Sequence, residues 1–317
     1  MKIRPFRLSL LGLSLFIPAA LCAVVLFLII YSGQAIVFNG LGFLSRITWN
    51  LGNLYSDPVT INGIQIPLGA NYGILVFIIG TLASSLIAIL IAVPLSVGAA
   101  IFLAEAVPEL ERSRPRWMPP IRPALSMLVE LVAVVPSVVF GLWGVAVLVP
   151  FIGKYLAPSG SGYGLLAASI VLALMITPII ATTLLDSLMQ IGIENRESAF
   201  ALGATHFEVV SKVMLPMVRT TLIGGIVLAL GRALGETMAV LMVSGGAINI
   251  LPTSVFSPVS TIASFIVSQL DSAESDPTNM AVRSLAEIAL VLFVITLAVN
   301  ATAKLLTSGA LSVHNHK

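Results

Sequence analysis

Long apolar runs separated by short polar stretches dominate the chain. A hydrocarbon core about 30 Å thick takes about 20 residues of helix to cross. Six runs meet that length: Leu8–Tyr31, Tyr72–Leu103, Leu125–Phe151, Tyr163–Leu185, Thr220–Ser244 and Ser284–Leu306. The pattern predicts an all-α fold, a polytopic membrane bundle of six transmembrane helices. The second and third runs are longer than needed and carry Pro94 and Pro136, which predicts tilts or breaks there. The first run follows Lys2, Arg4 and Arg7, as a signal peptide's apolar stretch does. A cleavable signal has only about 7–15 apolar residues, so this longer run reads as a retained membrane helix.

Composition agrees with lipid as the solvent. Of the 317 residues, 58% are hydrophobic and 9% charged, against about 45–50% and about 25% in soluble domains. The few charges then fix an orientation. With the N-terminus in the cytoplasm, six spans return the C-terminus there. The cytoplasmic segments hold Lys2, Arg4, Arg7, Arg112, Arg114, Arg116, Arg122, Arg196, Lys212, Arg219, Lys304 and Lys317. The outer loops hold Arg46 and Lys154, with Arg283 at an outer boundary and the acids Asp271, Glu274 and Asp276 just before it. That asymmetry is the positive-inside pattern. Outer residues 32–71 are turn-rich, with Trp49, Asn50, Asn53, Pro58, Asn62, Gly63 and Pro67. This segment and residues 245–283 either dock an external partner or cap the bundle.

Little in the chain suggests catalysis. Cys22 is the lone cysteine and sits inside an apolar run, after Leu21 rather than the small residue that lipoprotein processing wants. It makes no internal disulfide, and no Cys/His spacing suggests a metal. His206, His314 and His316 fall outside the spans, which leaves no intramembrane Ser–His pair or histidine metal site. No G-x-x-x-x-G-K-[ST] motif occurs, so any ATP hydrolysis belongs to another chain. The chain is expected to be no enzyme, to bind no cofactor or metal itself, and to have no nucleic-acid partner.

The segment Leu185–Arg219 has a different texture. Its first part favours helix, Gly203 is placed to end that helix in a left-handed conformation, and Thr205 with Glu208 predicts a capping box for a second helix. Phe207, Val210, Met214 and Leu215 form an apolar side of that helix, and Pro216 predicts a break or bend toward the bilayer. Such a helix–turn–helix is either a loop resting on lipid or a knob for a groove on another protein. The mixture of an acid, small residues, a glycine turn and an apolar stripe favours the knob.

In the fifth run, Gly231-Arg232-Ala-Leu-Gly235-Glu236-Thr237 places two charges where insertion costs about 2.5–3.5 kcal/mol each. Arg232 and Glu236 are four apart, hence neighbours on one helical face. Gly231 and Gly235 make a step that permits close helix approach. The pair either holds helices together or forms an anion path, for which the planar guanidinium fork is suited. Glu130, Asp186 and Glu287 read as interface or packing residues, Glu287 pairing with Arg283 one turn before it.

Two resemblances sharpen this reading. Glu197-x-Ala199, Gly203 four residues on and the later Leu215-Pro216 resemble the EAA loop of ATP-binding-cassette importer permeases, with Ser198 in place of the usual Ala and Val213 where Ile is frequent. The runs Gly231–Ala239 and Val135–Gly144, Tyr72-Gly-Ile-Leu with Gly80-Thr81, and Ile91-Ala-Val-Pro94-Leu resemble the PstC-like permeases of phosphate-specific transport. Together these matches span roughly residues 72–305. The resemblance implies a type I importer (MetI-like) fold with five core helices and a peripheral N-terminal one. It implies residues 1–71 as an N-terminal helix and outer segment, 72–309 as the permease domain with a coupling helix near 194–216, and 310–317 as a cytoplasmic tail.

It also implies a bacterial plasma-membrane location. The implied partners are a PstA-like second permease, a PstB-like ATPase dimer that carries MgATP, and a periplasmic or surface phosphate-binding protein. In such permeases Glu197, Ala199, Gly203, Leu215 and Pro216 would couple to the ATPase. Arg232, Glu236 and Thr237 would lie on the path of inorganic phosphate. A permease for sulfate, molybdate or phosphonate is the nearest alternative; a secondary transporter and a non-transporting regulatory subunit are the rivals of other classes.

Overall fold

The structure, a computed structural model, describes residues 3–112, 121–157 and 160–312. Lys2, Arg114, Arg116, His314, His316, Lys317 and the tail from 313 onward lie outside the described residues. In chain order the helices are α1 (Ile3–Asn39), α2 (Gly42–Ser45), α3 (Leu75–Ile101), α4 (Val107–Arg112), α5 (Ile121–Val134), α6 (Ser137–Trp143) and α7 (Val149–Tyr155). They continue with α8 (Leu165–Met189), α9 (Ile193–Ala201), α10 (His206–Glu208), α11 (Leu215–Leu234), α12 (Met238–Val243), α13 (Ile262–Glu274) and α14 (Met280–Ser312). A two-stranded hairpin, β1 (Val59–Ile61) and β2 (Ile64–Ile66), is the small exception to an all-helical chain. Among the described residues six stretches are long and apolar enough to cross a membrane: Leu10–Asn39, Leu75–Ala106, Ser137–Tyr155, Leu165–Met189, His206–Leu234 and Met280–Thr302.

The chain divides into two compact units. One contains the residues up to Val76 together with Phe265–Val294, the other Phe77–Ser264 and the stretch from Ile295. In the first unit α1 runs past the expected Tyr31 to Asn39, because the apolar run continues until Gly40 turns the chain with φ 57°. Leu13, Phe16, Ile17 and Ile30 on it are each at least 70% exposed, as suits a helix solvated by lipid. The Asn62-Gly63 turn of the hairpin has φ 54° and 78°, the mirror-image turn that matches strand twist. Trp49 packs edge-on against Tyr72 and Phe265, with ring centroids 4.9 and 5.1 Å apart.

Asp276 is buried at the start of α14, its Oδ2 accepting from Ala281 N at 2.9 Å. Glu287 does not pair with Arg283 as expected. It accepts a 2.7 Å hydrogen bond from Asn39 Nδ2, which the extra length of α1 brings to it.

The second unit is built around α8. Ala168, Val171, Leu172, Ile176, Ile180 and Leu184 on that helix are all at most 1% exposed. Helices α5, α6, α11 and α12 pack on it. Gly225 lets α11 approach: a Cβ there would stand 3.5 Å from Thr183 and 3.8 Å from Ile180 Cα. Several hydroxyls inside the helices bond their own backbone, as Thr183 Oγ1 does to Ile179 O at 2.7 Å, and so satisfy themselves within the span.

Among the described residues three segments are wide π turns, Phe102–Ala106, Gly144–Leu148 and Val209–Met214. Each ends two residues before a proline: Pro108, Pro150 and Pro216. In a regular helix the proline ring clashes with the carbonyl four residues back, and the wider turn relieves this without ending the helix. The helix therefore does not break at Pro216 but runs on through the π turn into α11. Pro94 likewise sits inside α3. Pro136 does break its run: α5 ends at Val134, and Pro136, with ψ 140°, precedes α6. The third span is thus Ser137–Tyr155 rather than the expected Leu125–Phe151.

Gly80 and Thr81 on α3 act as a pair. A Cβ on Gly80 would collide with the Ser260 carbonyl, while Thr81 Oγ1 accepts from Ile262 N at 2.8 Å and caps α13. Gly80→Ala is expected to cost about 1–3 kcal/mol by overpacking. A thermal unfolding midpoint in detergent equal to the wild type's would contradict that close approach.

Candidate functional site

Residues 190–216 form the helix–turn–helix expected from the sequence. Helix α9 ends in a Schellman turn: Gly203 has φ 83°, its N–H bonds Phe200 O at 2.9 Å, and Ala204 N bonds Ala199 O at 3.1 Å. Thr205 then opens α10 with a capping box. Glu208 N bonds Thr205 Oγ1 at 3.3 Å, and Glu208 Oε2 accepts from Thr205 N at 3.0 Å. Lys212 adds a 2.8 Å ion pair to Glu208.

The apolar stripe differs from the expected one. Val209, Met214 and Val218 are the buried residues, spaced by five and then four, because the π turn inserts a residue into the helical repeat. Phe207, expected on one side with Val210, Met214 and Leu215, is instead 79% exposed, and Leu202 on the turn is 90% exposed. Glu197 and Pro216 are exposed, and Ala199 and Leu215 half-buried. The motif residues therefore share one projecting element with an apolar tip.

Arg196 anchors that element, and sequence reasoning did not single it out for this role. Its Nη1 pairs with Glu105 Oε1 at 2.6 Å, and its Nη2 donates to Leu188 O at 3.3 Å. Helix α9 is thereby tied both to the π turn that follows α3 and to the last turn of α8. Glu105, Arg122, Arg196, Glu197 and His206 line a cavity of about 550 Å³ beside the turn. Glu105 was legible only as an acid near the end of the second run; its partner lies 91 residues away in the chain.

The fifth run departs from a continuous helix. α11 stops at Leu234, Gly235 closes it, and Glu236 and Thr237 lie in a break before α12. Arg232 and Glu236 are thus not on one helical face, and among the described residues no ion pair joins them. Glu236 Oε1 instead accepts from Ala239 N at 3.3 Å and caps α12, while Thr237 Oγ1 donates to Gly235 O at 3.3 Å. Among the described residues of this chain no helix packs tightly against Gly231 and Gly235, where the sequence permits a close approach. A Cβ on Gly235 would meet only its own helix's carbonyls, at 3.7 and 4.0 Å, and one on Gly231 only Asn300 Oδ1, at 4.0 Å. The physical reason is the break itself, which ends the helix where the glycine step would have packed.

Arg232 lines a cavity of about 570 Å³ with Ile179, Val227, Leu228, Gly231, Thr296 and Asn300. A guanidinium in the last turn of α11 that shares its cavity with the neutral side chains of Thr296 and Asn300, rather than with a neutralising acid, is suited to meeting an anion. Among the described residues no cluster of His, Cys, Asp or Glu is placed to hold a metal. Glu130 and Asp186 lie on α5 and α8.

The chain is 45% identical over 288 residues to the phosphate transport system permease protein PstC 1 of Mycobacterium tuberculosis, covering 85% of this chain and 82% of that one. It is 36% identical over 319 residues to the phosphate transport system permease protein PstC of Pasteurella multocida, covering 95% and 90%. Among solved structures, an inward-facing MetNI methionine ABC transporter superposes with a TM-score of 0.53 at 18% identity, covering 73% of this chain and 92% of that one, which shows a shared fold. Residues 96–310 match the family described as the binding-protein-dependent transport system inner membrane component. With six stretches able to span a bilayer and this match over most of its length, the chain is a multi-pass membrane protein that belongs to the binding-protein-dependent transport system inner membrane component family.

Proposed function

We propose that this chain is the permease subunit of an ATP-driven importer of inorganic phosphate, forming the membrane path and coupling it to a separate ATPase. The observation that carries this is the 45% identity over 288 residues to a phosphate permease. Arg232, which no ion pair joins to Glu236 and which lines a cavity, and the projecting 193–216 element support it from the chain's own residues.

The positive-inside pattern orients the chain with both termini and the 193–216 element in the cytoplasm. There the exposed Leu202, Phe207 and Glu197 offer an apolar tip with an acid beside it to a cleft on the ATPase. A PstB-like ATPase dimer holding MgATP, a PstA-like second permease and a phosphate-binding protein outside the membrane complete the assembly. Nucleotide-driven closure of the ATPase moves the 193–216 element, and rocking of helix bundles alternates access to the path.

Phosphate-limited cells lacking the native gene test the substrate. They should regain phosphate uptake from this chain, with excess sulfate or molybdate failing to compete. Competition by sulfate instead would keep the importer and replace its substrate.

The Arg196–Glu105 pair is the mechanical link in this account. A charge-assisted bond at a partly exposed site is worth about 1 kcal/mol, so Glu105→Gln should raise the ATP consumed per imported phosphate about fivefold. Exchanging the charges, Glu105→Arg with Arg196→Glu, should restore part of the coupling. An unchanged ratio in Glu105→Gln would remove the link from the mechanism.

A further inference from the structure

The cavity beside Arg232 is completed by a helix that no motif marks. Thr296 and Asn300 on α14 line it together with Arg232 and Gly231 of α11. They are four residues apart, so they share one face of α14. Asn300 Oδ1 stands 4.0 Å from the place where a Cβ on Gly231 would be, which sets the carboxamide opposite the residue next to Arg232. The glycine leaves open the space that a side chain would fill. Asn300 is exposed at the side of the cavity, inside the span Met280–Thr302. A carboxamide left facing hydrocarbon is unfavourable because its N–H and C=O groups lose their hydrogen bonds to water. Its place in the bilayer is therefore on a polar path.

We propose that Asn300, with Thr296, lines the anion path of this subunit and shares the passing oxyanion with Arg232. This rests on the phosphate-permease reading above and adds the residues that complete its site. The chemistry of the pair is complementary. A guanidinium has donors only, whereas a carboxamide has two N–H donors and a carbonyl acceptor. At neutral pH inorganic phosphate carries unprotonated oxygens and at least one P–OH. Arg232 serves the unprotonated oxygens, and Asn300 accepts from the P–OH through Oδ1 or donates through Nδ2 as the ion turns. Glu236, committed to capping α12, is not part of that contact set in this structure.

The test uses the full complex with its binding protein, second permease and ATPase in vesicles, with Cys22→Ser removing the native thiol. In that background Asn300→Cys should react with a membrane-impermeant cationic thiol reagent during turnover. Phosphate at ten times its half-saturating level should slow the reaction about tenfold, as competition for one site requires. Asn300→Leu should reduce uptake about tenfold, mainly through KM, with Asn300→Gln recovering most of it. Gly231→Leu, which fills the cavity while leaving Asn300 in place, should block uptake in an assembled complex. The proposal is overturned if the cysteine at 300 reacts at the same rate with and without phosphate, or does not react while Asn300→Leu transports normally. Uptake of phosphate by the unsubstituted complex is measured in the same vesicles. Its absence would overturn the underlying permease reading, whereas normal uptake with an indifferent position 300 overturns only this inference.

Discussion

Arg232→Gln should abolish phosphate uptake while leaving the complex assembled. The glutamine keeps most of the side chain's length and removes its charge. Losing one partner of a desolvated, hydrogen-bonded charge contact costs about 3 kcal/mol, which corresponds to about a 100-fold loss of uptake. The structure makes this a sharp test, because no ion pair joins Arg232 to Glu236 and Glu236 is occupied as the cap of α12. If Arg232 held helices together through Glu236, Arg232→Gln would chiefly lower stability, and Glu236→Gln would do the same. The geometry predicts instead that Arg232→Gln purifies with its partners at wild-type yield and keeps its basal ATPase activity. Normal uptake by this variant would take Arg232 off the path.

The second large effect is expected at Gly203. Its φ of 83° lies in the left-handed region, and its N–H bonds Phe200 O at 2.9 Å. Proline fixes φ near −65° and has no N–H, so Gly203→Pro removes both features at a cost of about 3 kcal/mol or more. The turn carrying the exposed Leu202 then no longer presents it at the same angle. Uptake should fall about 100-fold, while the ATPase subunits continue to hydrolyse ATP, since nothing in their own sites has changed. Gly203→Ala is the graded control: a left-handed alanine costs about 1–2 kcal/mol, and uptake should fall about tenfold. Unchanged uptake in Gly203→Pro, measured beside ATP hydrolysis, would refute the role of this turn in coupling.

Local rules carried most of what was readable in the sequence. The Schellman turn at Gly203 and the capping box at Thr205 and Glu208 depend on residues within six positions of one another, and the structure has both. The membrane runs depend on length and composition, and six remain. The failures came where a backbone break or a distant partner decides. Gly235 inside an apolar run reads as a packing step, yet it ends α11, and that single break separates Arg232 from Glu236. Pro136 breaks its run, whereas Pro216 is absorbed by a π turn that shifts the buried stripe to Val209, Met214 and Val218.

The Asn62-Gly63 pair between Val59-Thr-Ile61 and Ile64-Gln-Ile66 was a legible hairpin signal, hidden by the expectation of a plain turn-rich segment. The Glu105–Arg196 ion pair and the cavity that Arg232 and Asn300 both line were not legible, because each joins helices far apart in the chain. A lone carboxamide, Asn300, in the last apolar run was nevertheless a visible polar mark on that helix.

The central claim is that this chain forms the path for phosphate and couples it to ATP hydrolysed elsewhere. The most direct measurement is uptake of radiolabelled phosphate into vesicles that hold the chain with its second permease, ATPase and binding protein. ATP is supplied on the ATPase side, and unlabelled sulfate and molybdate serve as competitors. The account predicts uptake that requires ATP, falls to background when the chain carries Arg232→Gln, and is displaced by unlabelled phosphate but not by the other two anions. A fully assembled complex that hydrolyses ATP yet accumulates no phosphate would contradict it.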